Sequence, residues 1–228
     1  MRLFLSLFLI TGIVTVIICY VMALMNDSLS YSNCMLSEAI GTDPARMVGS
    51  FGISLTSFFL SVIFVARYMM SFVNNGIMKR SVSYLPLLGL SLSLFSCLGL
   101  MAVGIVSVIE MHTLHIWVMV ITFGSLLLSL CIFSIEEWQR LECSVVSRKF
   151  IILRISLAGG SIVMAMLMFW TIVYGEHFFG RHHKGFLSAL FEMITLFLFT
   201  CYIATFYYDF GKVQFSIIAT PRQICQPL

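Results

Sequence analysis

Apolar residues fall in six unbroken runs, Leu3–Leu24, Val48–Ala66, Leu85–Ile109, Leu114–Ile135, Ile155–Tyr174 and Phe186–Tyr208, separated by short polar connections. Each run has roughly 19 to 25 residues, about the length of helix that crosses a hydrocarbon core ~30 Å thick. Backbone groups inside lipid must bond within their own segment, and barrel strands cross in about half this length. The pattern therefore predicts an all-α fold, a polytopic membrane bundle of six transmembrane helices forming one domain over residues 1–228. The first run follows Met1-Arg2 as a signal peptide would. It exceeds the ~7–15 residues of a signal-peptide core and no small-residue cleavage site follows, so it is expected to stay as the first helix.

Composition agrees: 60 % of residues are hydrophobic, 10 % are charged and the mean hydropathy is +1.03. This excludes a water-soluble domain. The net charge of +3 implies no nucleic-acid partner, because the basic residues are sorted by the membrane. Arg2, Arg67, Lys79, Arg80, Arg140, Arg148, Lys149, Arg154, Lys212 and Arg222 fall on the side of the termini, and only Arg46, Arg181 and Lys184 on the other. By the positive-inside rule both termini are expected in the cytosol. Trp117, Trp170 and Trp138 lie near the ends of runs, as interfacial anchors do. The seven cysteines form no disulfide framework: only Cys34 is in a lumenal loop, with Cys19 the one candidate partner. Cys143 and Cys225 are juxtamembrane and read as unmodified thiols, with palmitoylation the alternative.

Polar positions within the runs carry the functional signal. Glu192 is the sole charge in the sixth run, about six residues and so ~9 Å from its lumenal end. A carboxylate at that depth faces the protein interior and needs a partner. All five histidines, His112, His115, His177, His182 and His183, lie in or beside the Glu110–Thr113 and Gly175–Gly185 connections at the same membrane face. The expected pair is Glu192 with His115, and Glu110, Glu176 and Arg181 could extend it into a binding cluster. Three readings stay open: a hydrogen bond joining the fourth and sixth helices, recognition of a lipid headgroup or protein, or general-base chemistry by His115 or Glu192. The histidine spacing matches no zinc signature, and no metal or cofactor is expected.

The chain has no nucleophile elbow, H-E-x-x-H or glycine-rich phosphate loop. Gly89, Ser93 and Cys97, Ser96, Leu100 and Gly104, and Ser156 and Gly160 recur at helical spacing, as close helix contacts require. Asn26-Asp27-Ser28 is a glycosylation sequon abutting the first run, where access is poor. No internal repeat, linker or appended soluble domain is expected, so activity should come from the bundle, its long lumenal loop Met25–Met47, or a partner.

Several motifs in order resemble a known family. Leu36-Ser37-Glu38 followed by Gly41 and Pro44 is similar to an I-S-x-x-G…P pattern in the first lumenal loop. The third run carries Ser96-Cys97-Leu98-Gly99-Leu100, the fourth begins at His115 and continues to Thr122-Phe123-Gly124, and the sixth carries Ala189 and Glu192 and ends in Asp209-Phe210. Together these resemble the six-span FRAG/DRAM/SFK group with its CWH-type N-terminal domain. The group includes the damage-regulated autophagy modulators, plasma-membrane relatives that regulate phosphoinositide kinase complexes, and a Golgi factor in GPI-anchor lipid remodelling. Ser37 to Arg46 and Asp209-Phe210-Gly211 also look like that last factor. The resemblance implies a multi-pass protein of the endomembrane system, lysosome or Golgi/ER, with His115 and Glu192 as family positions.

The expected function is a non-enzymatic, DRAM-like regulator of autophagy or lysosomal function, partnered by membrane lipids and by membrane or cytosolic proteins. The rival is GPI-anchor remodelling, with acyl-transfer chemistry at His115 and Glu192. A transporter would show paired intramembrane charges and inverted repeats, which one Glu192 does not.

Overall fold

The computed structural model describes residues 1–27, 35–77, 84–139 and 147–211, with side chains described outside 72–77 and 179–183. Its elements are α1 (Arg2–Met25), α2 (Leu36–Gly41), α3 (Ala45–Ile77), α4 (Leu85–Ile105), α5 (His112–Gln139), α6 (Arg148–Ala204) and α7 (Phe206–Phe210). Six stretches are long and apolar enough to cross a membrane, Arg2–Met25, Ala45–Ser71, Leu85–Ile105, His112–Gln139, Arg148–Phe178 and Lys184–Phe210. They match the six apolar runs one for one.

α6 contains two of these crossings. Its arms lie antiparallel: Ser188 Oγ donates to Thr171 Oγ1 at 3.1 Å, Arg154 Nε donates to Thr205 Oγ1 at 2.7 Å, and a Cβ on Gly175 would lie 3.2 Å from Lys184 Cγ. These pairs centre on one point near residue 180, where the chain reverses. The Gly175–Gly185 connection expected as a loop is therefore helical backbone. The start of α1 meets α7, with Arg2 Nε donating to the Tyr207 carbonyl at 3.2 Å and its guanidinium 4.6 Å from the Tyr207 ring centroid.

Small residues set the helix spacing. Gly89, Ser93, Ser96, Cys97 and Gly104 form the buried stripe of α4, as their spacing predicted. Ser57 Oγ donates to the Cys97 carbonyl at 2.6 Å from α3, and Ser96 shares a 2.8 Å hydrogen bond with Ser125 of α5. Each hydroxyl bonds where two backbones approach closely, as polar groups do in lipid. The expected Ser156 contact is a correction: Ser156 is exposed, and Arg154, Ala158 and Ser161 face inward instead. Cys19 is a free thiol 3.7 Å from the Ala45 carbonyl; Cys34, Cys143 and Cys225 lie outside the described residues.

The end of the bundle where α1 begins and α7 lies is tied by buried ions. Glu137 Oε1 accepts from Arg67 Nη2 at 2.8 Å and from Arg154 Nη1 at 2.6 Å. Arg154 also donates to Asp209 Oδ2 at 2.5 Å and the Thr205 carbonyl at 3.1 Å. Arg67 bonds Ser71 and lies 3.8 Å from Glu136 Oε2. None of the five charged residues is more than 5 % exposed. The guanidiniums lie over aromatic faces, Arg154 at 4.8 Å from the Phe206 centroid and Arg67 at 5.7 Å from that of Phe133. Glu192 is thus one of several buried charges, and Arg67 and Arg154, read from the sequence as flanking charges, lie inside the bundle. The crossings run past the apolar stretches, and their terminal charges fold inward to meet each other. Asp209 and Phe210, noted as a border motif, are both buried, Asp209 as an ion partner.

Gly99 and Gly124 sit on neighbouring helices in different surroundings. A Cβ on Gly99 would collide with Thr122, whereas one on Gly124 meets nothing within 4 Å. Gly99→Val should destabilise the detergent-solubilised protein by about 1–3 kcal/mol more than Gly124→Val, the cost of overpacking without room to relax. Equal unfolding midpoints in a thermal or SDS titration would contradict the α4–α5 contact.

Candidate functional site

At the opposite end, the connection after α1 supplies a short helix that the apolar pattern did not reveal. α2 buries Leu36, Ala39 and Ile40, and Leu36 and Ile40 pack with Cys19 and Ala45. Glu38 Oε2 accepts the Met35 N–H at 3.1 Å, closing the first turn on itself. Burial pushes the Glu38 carboxyl above the usual glutamate range, opposed by that amide and by His112 nearby.

Glu192 reaches from the second arm of α6 to the start of this helix. Its Oε2 accepts the Leu36 N–H at 2.8 Å, and the Ser37 N–H lies against the same carboxylate. Glu192 is 6 % exposed. A carboxylate receiving the first amides of a helix meets both the orphan donors and the positive end of its dipole. This corrects the expected pairing. Glu192 is partnered by backbone, not by imidazole.

His115 is buried as well, at 3 % exposure, but its partner is the carbonyl of Val106, 2.6 Å from Nδ1. The contact holds the ring against the connection between α4 and α5. There Ser107 Oγ accepts the Ile109 and Glu110 amides at 3.2 and 3.4 Å. Ser50 Oγ donates to the Gly104 carbonyl, which locks α3 to the end of α4. Between α2, α3, α4 and His115 lies a recess of about 20 Å³, room for one water-sized group. Ser37, Gly41, Arg46 and Ser107 are among the residues that border it.

The remaining candidates are spread out. Arg46 and Glu110 form a bidentate pair at 2.6 and 3.0 Å on the rim, with side chains 31 % and 57 % exposed. Glu176 is exposed and lies 3.9 Å from Lys184 across the α6 hairpin. His177 is exposed against the Phe178 ring. The side chains of Arg181, His182 and His183 lie outside those described. Pro44 is exposed immediately before α3, and Asn26 is exposed with its Nδ2 donating to the Met22 carbonyl at 2.9 Å; Ser28 of the sequon lies outside the described residues. So the structure brings Ser37, Glu192 and His115 to one end, adds the Arg46–Glu110 rim, and leaves Glu176 in the hairpin. Among the described residues no cluster of three or more His, Cys, Asp or Glu could hold a metal.

Sequence reasoning missed Glu38, Arg46 as a rim residue, and the ion set at the other end. A usable signal existed for the ions: Glu136-Glu137 directly follows an apolar run whose neighbours end near Arg67 and begin near Arg154.

Replacing Glu192 by Ala strands the Leu36 and Ser37 amides without an acceptor, at a cost of about 2 kcal/mol. Glu192→Gln keeps a carbonyl acceptor and should lose less. Thermal unfolding in detergent should rank wild type above Gln above Ala; a Gln variant no better than Ala would refute the backbone clasp.

A family model described as the Frag1/DRAM/Sfk1/Cwh43P N-terminal domain matches residues 1–213, a span that includes both polar ends. No curated protein and no solved structure matches the chain. With six membrane-crossing helices and a family match over nearly its whole length, this multi-pass membrane protein belongs to the Frag1/DRAM/Sfk1/Cwh43P N-terminal domain family.

Proposed function

We propose that the protein is a DRAM-like endomembrane regulator, acting in autophagy or lysosomal function through lipid or protein contacts at its lumenal end, with both termini cytosolic. The ten-to-three sorting of basic residues supports the orientation. One observation carries the choice of contact over reaction. His115 Nε2, the ring atom that would serve as base, bonds no hydroxyl, thiol or carboxylate among the described residues. Glu192, the other candidate for acid–base work, is committed to holding α2. A preformed nucleophile–base pair, the usual mark of covalent chemistry, is not what these two residues make.

A second reading retains a specific observation in its favour. With Nδ1 held by a carbonyl, the neutral His115 ring keeps Nε2 as a lone-pair acceptor, which is the state a general base needs. That supports acyl transfer in GPI-anchor lipid remodelling as the alternative.

Cells lacking the protein separate the two. The regulatory reading expects disturbed autophagic flux, restored by the wild-type chain, with GPI-anchored proteins carrying normal acyl chains. Altered anchor acyl chains with normal flux would reverse the choice. A tagged copy found at the plasma membrane alone would refute the endomembrane assignment.

A further inference from the structure

Two carboxylates converge on the first turn of α2, and no ion pair holds either of them. Glu38 Oε2 accepts the Met35 N–H at 3.1 Å, and Glu192 Oε2 accepts the next amide, the Leu36 N–H, at 2.8 Å. Glu38 is half-buried and Glu192 is buried. Neither forms a salt bridge among the described residues. Glu137 and Asp209, at the other end of the bundle, each lie within 2.8 Å of a guanidinium. Glu38 and Glu192 instead feel each other's charge, and like charges sheltered from water repel.

Glu38 is the member that water reaches. Burial pushes its carboxyl above the usual glutamate range, against the opposing pull of the Met35 amide and His112. A proton on one oxygen leaves the other to accept the Met35 N–H. Protonation therefore removes a repulsion and breaks no hydrogen bond. Because Glu38 ionises less readily when docked than when released into water, the docked form binds more protons. Docking is then firmest in acid and weakens as pH rises through the docked carboxyl's range.

Little else holds α2. Six residues are too few for a helix stable on its own, and its buried side chains are Leu36, Ala39 and Ile40. The elements packed against it are α1, α3 and α6. α1 brings Cys19 and Tyr20, a thiol and a phenol, groups that ordinarily stay protonated below about pH 8. The charge of α3 at this end is Arg46, held by Glu110 and near Asp43, and α6 brings Glu192. From the start of α5, His112 acts on Glu38, and His115 is bound to Val106. A charged His112 favours ionised Glu38, so it works against the effect, and the burial of Glu38 outweighs it.

We propose that α2 is an acid-tightened cap: ionised Glu38 is repelled by Glu192 and lets the helix loosen, and protonated Glu38 lets it dock firmly against α1, α3 and the second arm of α6. The cap meets an acidic compartment only where it faces the lumen, so its use in the cell rests on the orientation proposed above. The response itself is a property of the folded chain.

Hydrogen exchange of the full-length protein in nanodiscs reads the docking directly. Protection of the Leu36–Gly41 amides, corrected for the intrinsic pH dependence of exchange, is compared at about pH 5.5 and about pH 7.5. The unsubstituted protein should be protected about threefold or more better in acid. Glu38→Gln, neutral at both values and still carrying an oxygen for the Met35 amide, should hold the acid level throughout. Equal protection at the two values, or more at the higher, would overturn the proposal, as would a pH dependence that survives Glu38→Gln. The first comparison needs no variant, so the proposal stays open to refutation even where Glu38→Gln fails to fold. Accessibility of a tag on the N-terminus decides the orientation separately: a lumenal tag would defeat that reading and spare the cap.

Discussion

A charge carried out of water into a helix bundle must be compensated inside it, and two different compensations shape this molecule. At the end where α1 begins and α7 lies, two guanidiniums and three carboxylates meet within α3, α5, α6 and α7, with Glu137 shared by Arg67 and Arg154. Desolvating such groups costs several kcal/mol each, so removing one partner leaves the remaining buried charges short of compensation. The set therefore fixes which helix ends converge. At the other end a single carboxylate, Glu192, is met by backbone amides of a six-residue helix. The first arrangement ties membrane crossings to one another. The second holds a cap over them.

The six crossings were legible because lipid imposes a length and forbids unsatisfied backbone, a constraint that reads directly from apolar runs. Their ends were not. Arg67, Glu137 and Arg154 lie just beyond the apolar stretches, and a residue there reads equally as a solvated flank or as a buried partner until the neighbouring helices are placed. α2 escaped notice because three buried residues in six give no sustained period. The Gly175–Gly185 segment read as a loop from its charges and glycines, yet helical backbone continues through it.

The polar end shows the same division. Burial of Glu192 and His115 followed from their depth alone, and both are at most 6 % exposed. Their partners did not follow, since a backbone amide or carbonyl has no signature in the sequence. Imidazole was the visible candidate for the carboxylate. The structure gives the carboxylate to α2 and the imidazole to Val106. That separation leaves a buried imidazole acceptor and a backbone-bonded carboxylate instead of an ion pair.

The claim on which everything else depends is that buried charges in this bundle are compensated by one another, with the Arg154–Glu137 contact at the centre. A double-mutant cycle on Arg154→Met and Glu137→Leu, followed by reversible unfolding in mixed micelles, measures it directly. The account predicts that the double variant is less destabilised than the sum of the singles by about 2 kcal/mol or more, because each single variant leaves the other buried charge one partner short. Additivity within about 0.5 kcal/mol would mean that the two side chains do not compensate each other, and the account would fail.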